Sequence, residues 1–238
     1  MKILVVSQYF YPENFRINDL CYGLNEMGHE VEVLTGKPNY PKGSFYKGYS
    51  WYTKQTEVIN GIKVYRSNLI PRGNSGGFRL FLNYFSFVFF ASIKLFFIKQ
   101  KFDKIFVYAP SPITVGFIGI IASFIFRAKP FLWVHDLWPE SLKDAGGITN
   151  KIALGLVNLM TKLIYHFYDI ILVQSPRFRE YLIEQGVSKN KILYYPYYAE
   201  SFYKVVKPKL KLKSIFSNGL NILFAGNIGV AQSFDTII

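Results

Sequence analysis

The feature that most constrains the fold is a regular alternation of short, almost continuously apolar runs with longer segments of helical periodicity. The apolar runs read as strands and lie at residues 2–7, 30–35, 104–108, 130–135, 169–174 and 191–195. Between most of them, apolar side chains recur every three or four positions, as they do along one face of a helix. Strands that are apolar on both faces are typical of a parallel sheet covered by helices on both sides. The sequence therefore predicts an α/β fold with a doubly wound parallel sheet.

Local signals mark several boundaries of these elements. Asn60-Gly61 supplies two residues that tolerate positive φ and predicts a tight hairpin within residues 56–66. Ser175, followed by proline, is typical of a helix start, and Gly186 is typical of the position just past a helix end. Further helices are predicted at residues 17–28, 112–127 and 150–168.

Residues 81–98 form the most apolar segment of the chain. Basic side chains flank this segment, namely Arg72, Arg79, Lys99 and Lys101. A transmembrane helix needs about 20 apolar residues, and the polar Asn83 and Lys94 inside this segment disfavour a span. We expect a buried crossover helix that partly touches the membrane rather than a true transmembrane span.

Composition restricts the partner and the compartment. The 238 residues carry a formal net charge of +13, which indicates an anionic partner: membrane phospholipid, nucleic acid or a phosphorylated small substrate. No nucleic-acid-binding motif occurs, so we expect no nucleic acid. The single cysteine, Cys21, excludes an internal disulfide and fits a reducing compartment. Met1 leads directly into a strand, so we expect no cleaved export signal.

Two loops that follow predicted strands concentrate polar side chains. The first contains Glu13, Asn14, Arg16 and Asp19 around a helix start, whose free backbone N–H groups favour an anion. The second contains His135, Asp136 and Glu140, with Trp133 and Trp138 as expected stacking surfaces. Ligands of such sheets bind outside the carboxyl ends of the strands, so these loops are the predicted site. Ordinary helix capping and loop bracing are the alternative roles for the same residues.

The last residues begin a further structural unit. Residues 221–238 read as a buried strand, a glycine turn at Gly226 and Gly229, and the first turn of a helix opened by Ser233. This order is typical of the start of a nucleotide-binding α/β domain. We therefore expect a first domain at residues 1–200, a basic linker at 201–219 and the truncated start of a second domain at 220–238.

Motifs spread over the whole chain occur in the order seen in bacterial glycosyltransferase family 4. They are Leu24-Asn-Glu-Met-Gly-His-Glu-Val-Glu-Val-Leu-Thr35, Pro38-Asn-Tyr-Pro41 with Gly43, Asp136-Leu-Trp-Pro-Glu-Ser141, and Gly226-Asn-Ile-Gly-Val-Ala-Gln232. The chain resembles this family, and most of all its WbuB-like subgroup of colanic acid and capsule biosynthesis. The resemblance implies a GT-B fold, in which two Rossmann-like domains face each other across a cleft.

The resemblance also implies an activity. Enzymes of this kind transfer a hexosyl or N-acetylhexosaminyl group from a nucleotide-sugar with retention of configuration, without a metal or other cofactor. The implied acceptor is a polyprenyl-diphosphate-linked sugar, used in O-antigen, capsule or exopolysaccharide biosynthesis. The implied location is cytoplasmic and peripheral, on the anionic inner face of the plasma membrane.

Carried onto this sequence, the resemblance gives roles to individual residues. It makes His135 and Asp136 catalytic, and it makes the loop residues Glu13, Asn14, Arg16, Asp19 and Glu140 acceptor-side. It places Gly226, Asn227 and Gly229 at the diphosphate of the donor, where close approach of the backbone favours glycine.

The chain departs from the family in its donor-binding half. The basic pair and the Glu-X₇-Glu pattern of the family do not occur, and no glutamate follows Glu200. We therefore expect the truncated chain to be inactive alone. The alternative is a non-catalytic acceptor-domain fragment that binds the membrane or a partner.

Overall fold

An eight-stranded sheet forms the centre of the computed structural model, which describes residues 1–74, 76–144, 147–200, 203–207, 219–226 and 233–237. The strands are β1 (Lys2–Ser7), β2 (Glu30–Gly36), β3 (Thr56–Ile59), β4 (Ile62–Ser67), β5 (Lys104–Ala109), β6 (Lys129–Val134), β7 (Ile170–Val173) and β8 (Ile192–Tyr194). Their order across the sheet is β3-β4-β2-β1-β5-β6-β7-β8. Every neighbouring pair is parallel except the hairpin β3–β4. The predicted parallel α/β sheet is confirmed.

Helices cover both faces of this sheet. They are α1 (Arg16–Glu26), α2 (Gly77–Leu95), α3 (Val115–Phe126), α4 (Glu140–Asp144), α5 (Lys151–Phe167), α6 (Pro176–Glu184) and the single turn α7 (Phe234–Ile237). One core contains α1, and the core on the other face contains α2, α3, α5 and α6. The short α4 and a 3₁₀ turn at Lys189–Lys191 were not predicted from the sequence.

The alternation of side chains along the strands explains the two cores. In β1, Leu4 and Val6 belong to one core while Ile3 and Val5 belong to the other. Successive strand residues point to opposite faces, so a strand that is apolar at every position buries both faces. Full burial of such a side chain contributes about 1.5–3 kcal/mol, which is why these runs are the most reliable elements to predict.

The structure contains the predicted turn and cap signals. Asn60 and Gly61 have φ values of 47° and 78° between the paired strands β3 and β4. The hydroxyl of Ser175 accepts a hydrogen bond from the backbone N–H of Phe178 at 3.2 Å and caps α6. Gly186, with φ 90°, adopts the left-handed conformation that ends this helix.

Helix α2 is the crossover between β4 and β5, as predicted. Phe87, Ala91 and Leu95 on its inner face are buried in the core. Asn83 is also buried, and its amide donates to the carbonyl of Ile70 at 2.6 Å. Within the described residues, α2 is the helix that is long and apolar enough to cross a membrane by length and composition. Contact of this helix with a membrane stays a prediction.

The outer face of α2 is aromatic and exposed. The side chains on it are exposed by 42–76 % and are Phe78, Phe81, Phe85, Phe89 and Ile93. Phe96 and Phe97, just past the helix end, are 70 and 73 % exposed. This helix therefore buries one face in the protein core and presents the other to its surroundings.

The prediction of a buried strand at residues 221–224 is wrong. The described residues 219–226 contain no regular secondary structure, and Ile222 and Leu223 are 88 and 76 % exposed. A strand needs a neighbouring strand to satisfy its backbone N–H and C=O groups, and none of the described strands pairs with these residues. The helix predicted after Ser233 is present as the single turn α7. The predicted domain and linker boundaries stay predictions.

Candidate functional site

A cavity of about 450 Å³ opens at the carboxyl ends of β1, β5 and β6. Strands β2 to β4 lie on one side of β1, and strands β5 to β8 lie on the other, so the strand order reverses between β1 and β5. Open α/β sheets bind their ligands at such a position. The residues that line the cavity are Tyr9, Phe15, Tyr40, Arg72, Tyr84, Tyr108, Pro110, Ser111, His135, Asp136 and Tyr197.

His135 directly follows β6 and lies in the wall of this cavity. Its backbone carbonyl accepts from the side-chain amide of Gln174 at 3.0 Å, and its Nδ1 shares a hydrogen bond with the hydroxyl of Tyr197. The other ring nitrogen, Nε2, is buried and has no hydrogen-bond partner among the described residues. Burial first and the charge of Arg16 second lower the pKa of His135 to about 3. The imidazole is therefore neutral at pH 7, and its Nε2 can hydrogen-bond a ligand.

Asp136 follows His135 and is half-buried in the same wall. Burial raises the pKa of its carboxyl group, while a hydrogen bond from the side chain of Ser111 lowers it by a smaller amount. A carboxylate beside a neutral imidazole gives the cavity one group that accepts a proton and one that exchanges hydrogen bonds with a substrate. The structure thus brings together the two residues predicted to be catalytic.

The tryptophans of this loop do not form the expected stacking surfaces. Trp133 is completely buried, and its ring lies beneath the cavity, 4.3 Å from the ring of His135. Trp138 is 8 % exposed and belongs to the core on the side of α2. Each tryptophan is thus packed in a hydrophobic core, Trp133 on one face of the sheet and Trp138 on the other.

Aromatic side chains from other loops line the cavity instead. Tyr9 and Phe15 stack at 4.6 Å with an angle of 8° between their rings, and Tyr40 lies 5.7 Å from Tyr9. The sequence reasoning missed these three rings. The sequence contains a signal for two of them, because Tyr9 and Phe15 lie in the same loop as the polar residues Glu13 and Arg16.

Arg72 and Tyr84 are further cavity residues that the sequence reasoning did not assign to the site. The guanidinium of Arg72 lies 4.9 Å from the ring centre of Tyr40, and its Nη1 donates to the hydroxyl of Tyr9 at 3.2 Å. Arg72 belongs to the segment between β4 and α2, and its sequence position indicates only a basic flank of the apolar helix. Tyr84 reaches the cavity from α2.

Arg16 and Asp19 hold the rim of the cavity and do not line it. Arg16 donates to the backbone carbonyl of Tyr198 and forms an ion pair of 3.4 Å with Glu200. Its guanidinium also lies 4.9 Å from the ring centre of Tyr197. Asp19 hydrogen-bonds the side chain of Tyr198. These contacts fasten residues 197–200 beside His135.

Glu13 lies behind the cavity wall. Its Oε1 accepts from the backbone N–H groups of Asn39 at 2.8 Å and Tyr40 at 2.7 Å. Its Oε2 is buried without a partner among the described residues, and burial raises the pKa of the carboxyl group to about 7. Glu13 thus positions Tyr40, whereas its neighbour Asn14 is exposed outside the cavity lining.

The remaining predicted site residues lie elsewhere. Glu140, in the first turn of α4, accepts a hydrogen bond from the hydroxyl of Tyr181 on α6. Gly226 lies in the exposed segment 219–226, and Asn227 and Gly229 lie outside the described residues. The donor-binding role of these three residues stays a prediction.

The part of the chain that the structure describes contains no group of three or more His, Cys, Asp or Glu side chains that could hold a metal ion. A second cavity, of about 350 Å³, lies beside the C-terminal ends of α5 and α6, with Lys162 and Lys191 in its lining. It is remote in sequence from His135 and Asp136 and shares no lining residue with the cavity that contains them.

The parallel sheet and the cavity at its switch point are those of a Rossmann-like α/β domain. The model of the "Glycosyl transferase 4-like domain" family matches residues 14–197, and the chain belongs to this family. The family membership predicted from the motifs is confirmed.

Individual relatives agree with this assignment. WcaI of Escherichia coli (strain K12), assigned as a glycosyl transferase of colanic acid biosynthesis, is 24 % identical over 257 residues. That alignment covers 100 % of this chain and 61 % of WcaI, so the chain spans less than two thirds of the length of its relative.

Two solved structures show the same fold. Sucrose-phosphate synthase of Thermosynechococcus elongatus has a TM-score of 0.51 at 19 % identity, with 82 % of this chain and 88 % of that chain covered. The catalytic domain of starch synthase IV of Arabidopsis thaliana, bound to ADP and acarbose, has a TM-score of 0.50 at 15 % identity, with 82 % and 51 % covered.

Proposed function

We propose that this chain is the acceptor-side half of a retaining, nucleotide-sugar-dependent glycosyltransferase of bacterial surface polysaccharide biosynthesis, within the WbuB-like subgroup. The observation that carries the proposal is the cavity at the sheet switch point, which holds His135 and Asp136 in a chain of the glycosyl transferase 4-like family. The similarity to WcaI supports a polysaccharide such as colanic acid, capsule or O-antigen as the product.

The proposed reaction replaces one bond of the sugar by another. The bond between the anomeric carbon and the donor diphosphate breaks, and the hydroxyl oxygen of the acceptor bonds to the anomeric carbon. The hydroxyl proton leaves with the nucleoside diphosphate or to the medium. Asp136 accepts the hydrogen bond of the attacking hydroxyl, and Nε2 of His135 hydrogen-bonds the transferred sugar. Positioned groups of this type contribute about 10²–10⁴-fold each.

The second half of the active site belongs to a donor-binding domain in this proposal. The ADP-bound starch synthase IV domain has a fold related to this chain, and WcaI is longer than the stretch that this chain matches. We therefore expect the isolated 238-residue chain to be inactive, with no sustained release of nucleoside diphosphate. Sustained transfer by the isolated chain would contradict a two-domain site.

The assay for the proposed function uses a protein that carries both halves. Nucleoside diphosphate release and formation of a polyprenyl-linked product are measured over a panel of nucleotide-sugars, and the anomeric configuration of the product is read by NMR. We expect a hexosyl or N-acetylhexosaminyl product with retained configuration, and an unchanged rate with EDTA. No transfer with any donor, although the chain binds membranes, would favour the alternative of a non-catalytic binding domain.

The proposed location is the cytoplasmic face of the plasma membrane, and the proposed contact is the exposed face of α2. That face carries Phe81 and Phe85, and the exposed Arg79, Lys99 and Lys101 lie near its two ends. Each basic residue near an anionic surface contributes about 1 kcal/mol, and apolar side chains add to this attraction. The net charge of +13 supports attraction to an anionic membrane.

Vesicle binding tests this contact with a matched control. Phe81→Ser with Phe85→Ser removes apolar area from α2, and Leu156→Ser with Leu159→Ser removes it from α5, where both leucines are similarly exposed at 64 and 66 %. We expect the wild-type protein to pellet with anionic but not neutral vesicles, and to be released by high salt. The α2 variant should lose this binding and the α5 variant should keep it.

Loss of vesicle binding by the α5 variant, with binding kept by the α2 variant, would indicate that α5 contacts the membrane instead. Extraction by detergent alone would mean that the apolar segment spans the bilayer. Equal binding to neutral and anionic vesicles would remove the electrostatic part of the proposal.

A further inference from the structure

We propose that Arg72 binds the diphosphate of the lipid-linked acceptor at the mouth of the cavity and directs the lipid along the exposed aromatic face of α2. This inference rests on the proposed function, because it assumes that the acceptor is a prenyl diphosphate. It assigns a substrate group to a residue that the family resemblance did not select.

The first support is the rigid placement of Arg72. Its backbone N–H donates to Oδ1 of Asn39 at 3.1 Å, its side chain donates to the hydroxyl of Tyr9, and its guanidinium faces the ring of Tyr40. A guanidinium offers a planar fork of donors that matches phosphate oxygens. Because these contacts fix the side chain in the cavity wall, less side-chain entropy is lost when a phosphate binds.

The second support is the distribution of charge within the cavity. Among the lining residues, Arg72 supplies a cation and Asp136 supplies a carboxylate. Tyr84 lines the same cavity and hydrogen-bonds Arg72, and burial, with a smaller contribution from the charge of Asp136, raises the pKa of its hydroxyl group. A diphosphate is attracted to Arg72 and repelled by Asp136. The acceptor therefore enters with its diphosphate at Arg72 and its sugar hydroxyl toward His135 and Asp136.

The third support is the continuity between the cavity and α2. Tyr84 lines the cavity, and Phe81 precedes it by one helical turn on the adjoining surface of the same helix. The ring of Phe81 stacks on the ring of Phe85 at 5.9 Å, and both rings are exposed. An apolar chain that leaves a diphosphate at Arg72 can follow these rings toward the membrane.

A buried polar network joins the two parts into one unit. The amide of Gln8 donates to Oδ1 of Asn83 at 2.7 Å, and Asn83 in turn donates to Oδ1 of Asn39 at 3.3 Å. Asn83 belongs to α2, and Asn39 is the residue that also holds the backbone of Arg72. The headgroup contact and the lipid contact are therefore fixed relative to each other.

The test measures binding of farnesyl diphosphate, farnesyl monophosphate, farnesol and inorganic diphosphate by calorimetry in a non-ionic detergent. The proteins are the wild-type chain, Arg72→Ala, Arg72→Lys and, as a matched control, Arg179→Ala, because Arg179 is exposed on α6 and absent from the cavity lining. Circular dichroism melting verifies that each variant is folded.

We expect Arg72→Ala to weaken farnesyl diphosphate binding by about 10- to 100-fold, the scale of a charge-assisted contact. Arg72→Lys should give a smaller loss. Farnesyl diphosphate binding by Arg179→Ala and the farnesol affinities of all the proteins should stay unchanged. Equal farnesyl diphosphate affinity in wild type and Arg72→Ala would overturn the inference and leave the proposed function intact.

Two other outcomes separate the possible sources of the phosphate. Absence of farnesyl diphosphate binding by the wild-type chain would overturn both the inference and the proposed acceptor. Inorganic diphosphate that binds as tightly as farnesyl diphosphate, with the same loss in Arg72→Ala, would keep the anion site and overturn the lipid path along α2.

Discussion

Replacement of Glu13 by glutamine tests how the cavity wall is built. Glu13 is 1 % exposed, and its Oε1 accepts the backbone N–H groups of Asn39 and Tyr40. Glutamine keeps an accepting oxygen at this place and removes the ionisable group. The variant should therefore keep Tyr40 in position and change how stability depends on pH.

The sign and size of the change follow from the pKa of Glu13. Burial raises this pKa from 4.5 to about 7, so the folded state binds the proton more tightly than the unfolded state does. The contribution of this bound proton to the free energy of unfolding is fully present below pH 4.5 and is lost as the pH rises through about 7. The loss is about 3 kcal/mol of unfolding free energy by pH 8. Glutamine at residue 13 removes this loss, whereas the cost of its buried amide is independent of pH.

Urea unfolding of both proteins between pH 4 and pH 8 provides the measurement. The unfolding free energy of Glu13→Gln, taken relative to wild type, should rise by about 3 kcal/mol from pH 4 to pH 8. Glu26→Gln makes the same chemical change at an exposed position on α1 and should follow wild type. The same pH dependence in Glu13→Gln and wild type would refute a buried carboxyl group with a raised pKa behind the cavity.

Two further predictions concern the scaffold. Gly119→Ala on α3 would push a Cβ into the hydroxyl of Tyr168 and a methyl group of Val107. Thermal unfolding should therefore show that the free energy of unfolding falls by about 1–3 kcal/mol. A Cβ added by Gly155→Ala on α5 has no atom within 4 Å, so this variant should gain up to about 1 kcal/mol of unfolding free energy. A Gly119→Ala variant more stable than Gly155→Ala would contradict the helix packing. Asn150→Ala removes the cap whose Oδ1 accepts from Ile152 and Ala153, and should cost about 1 kcal/mol in the same assay. An unchanged melting temperature would contradict that cap.

Much of the fold could be predicted because short stretches of neighbouring residues specify its strands and turns. The strand at Lys2–Ser7 is predicted from its four apolar residues, 3–6, which alternate between the two cores. The turn at Asn60 and Gly61 is predicted from two residues that accept positive φ. The segment at residues 221–224 has the same apolar pattern, yet no described strand pairs with it. The local apolar pattern therefore shows that a segment can form a strand, and the presence of a neighbouring strand determines whether it does.

The candidate site could be predicted only where its residues are neighbours in sequence. His135 and Asp136 directly follow a strand, so the polarity of the sheet placed them in the cavity. Tyr40, Arg72 and Tyr197 come from separate segments whose approach is set by tertiary packing. No local pattern distinguishes these residues from ordinary loop residues. Residue type alone gave the wrong expectation for Trp138, which was predicted to be a stacking surface and is buried in the core.

Transfer rates of cavity variants test most directly whether this cavity is where the sugar is transferred. In a protein that carries both halves of the fold, His135→Ala and Asp136→Ala should each lower turnover by about 10²-fold or more, the usual scale for groups that act on the reacting atoms. Glu26→Gln, remote from the cavity lining, should keep the parental rate. Parental rates in both cavity variants, with folding unchanged, would contradict a catalytic role for this cavity wall.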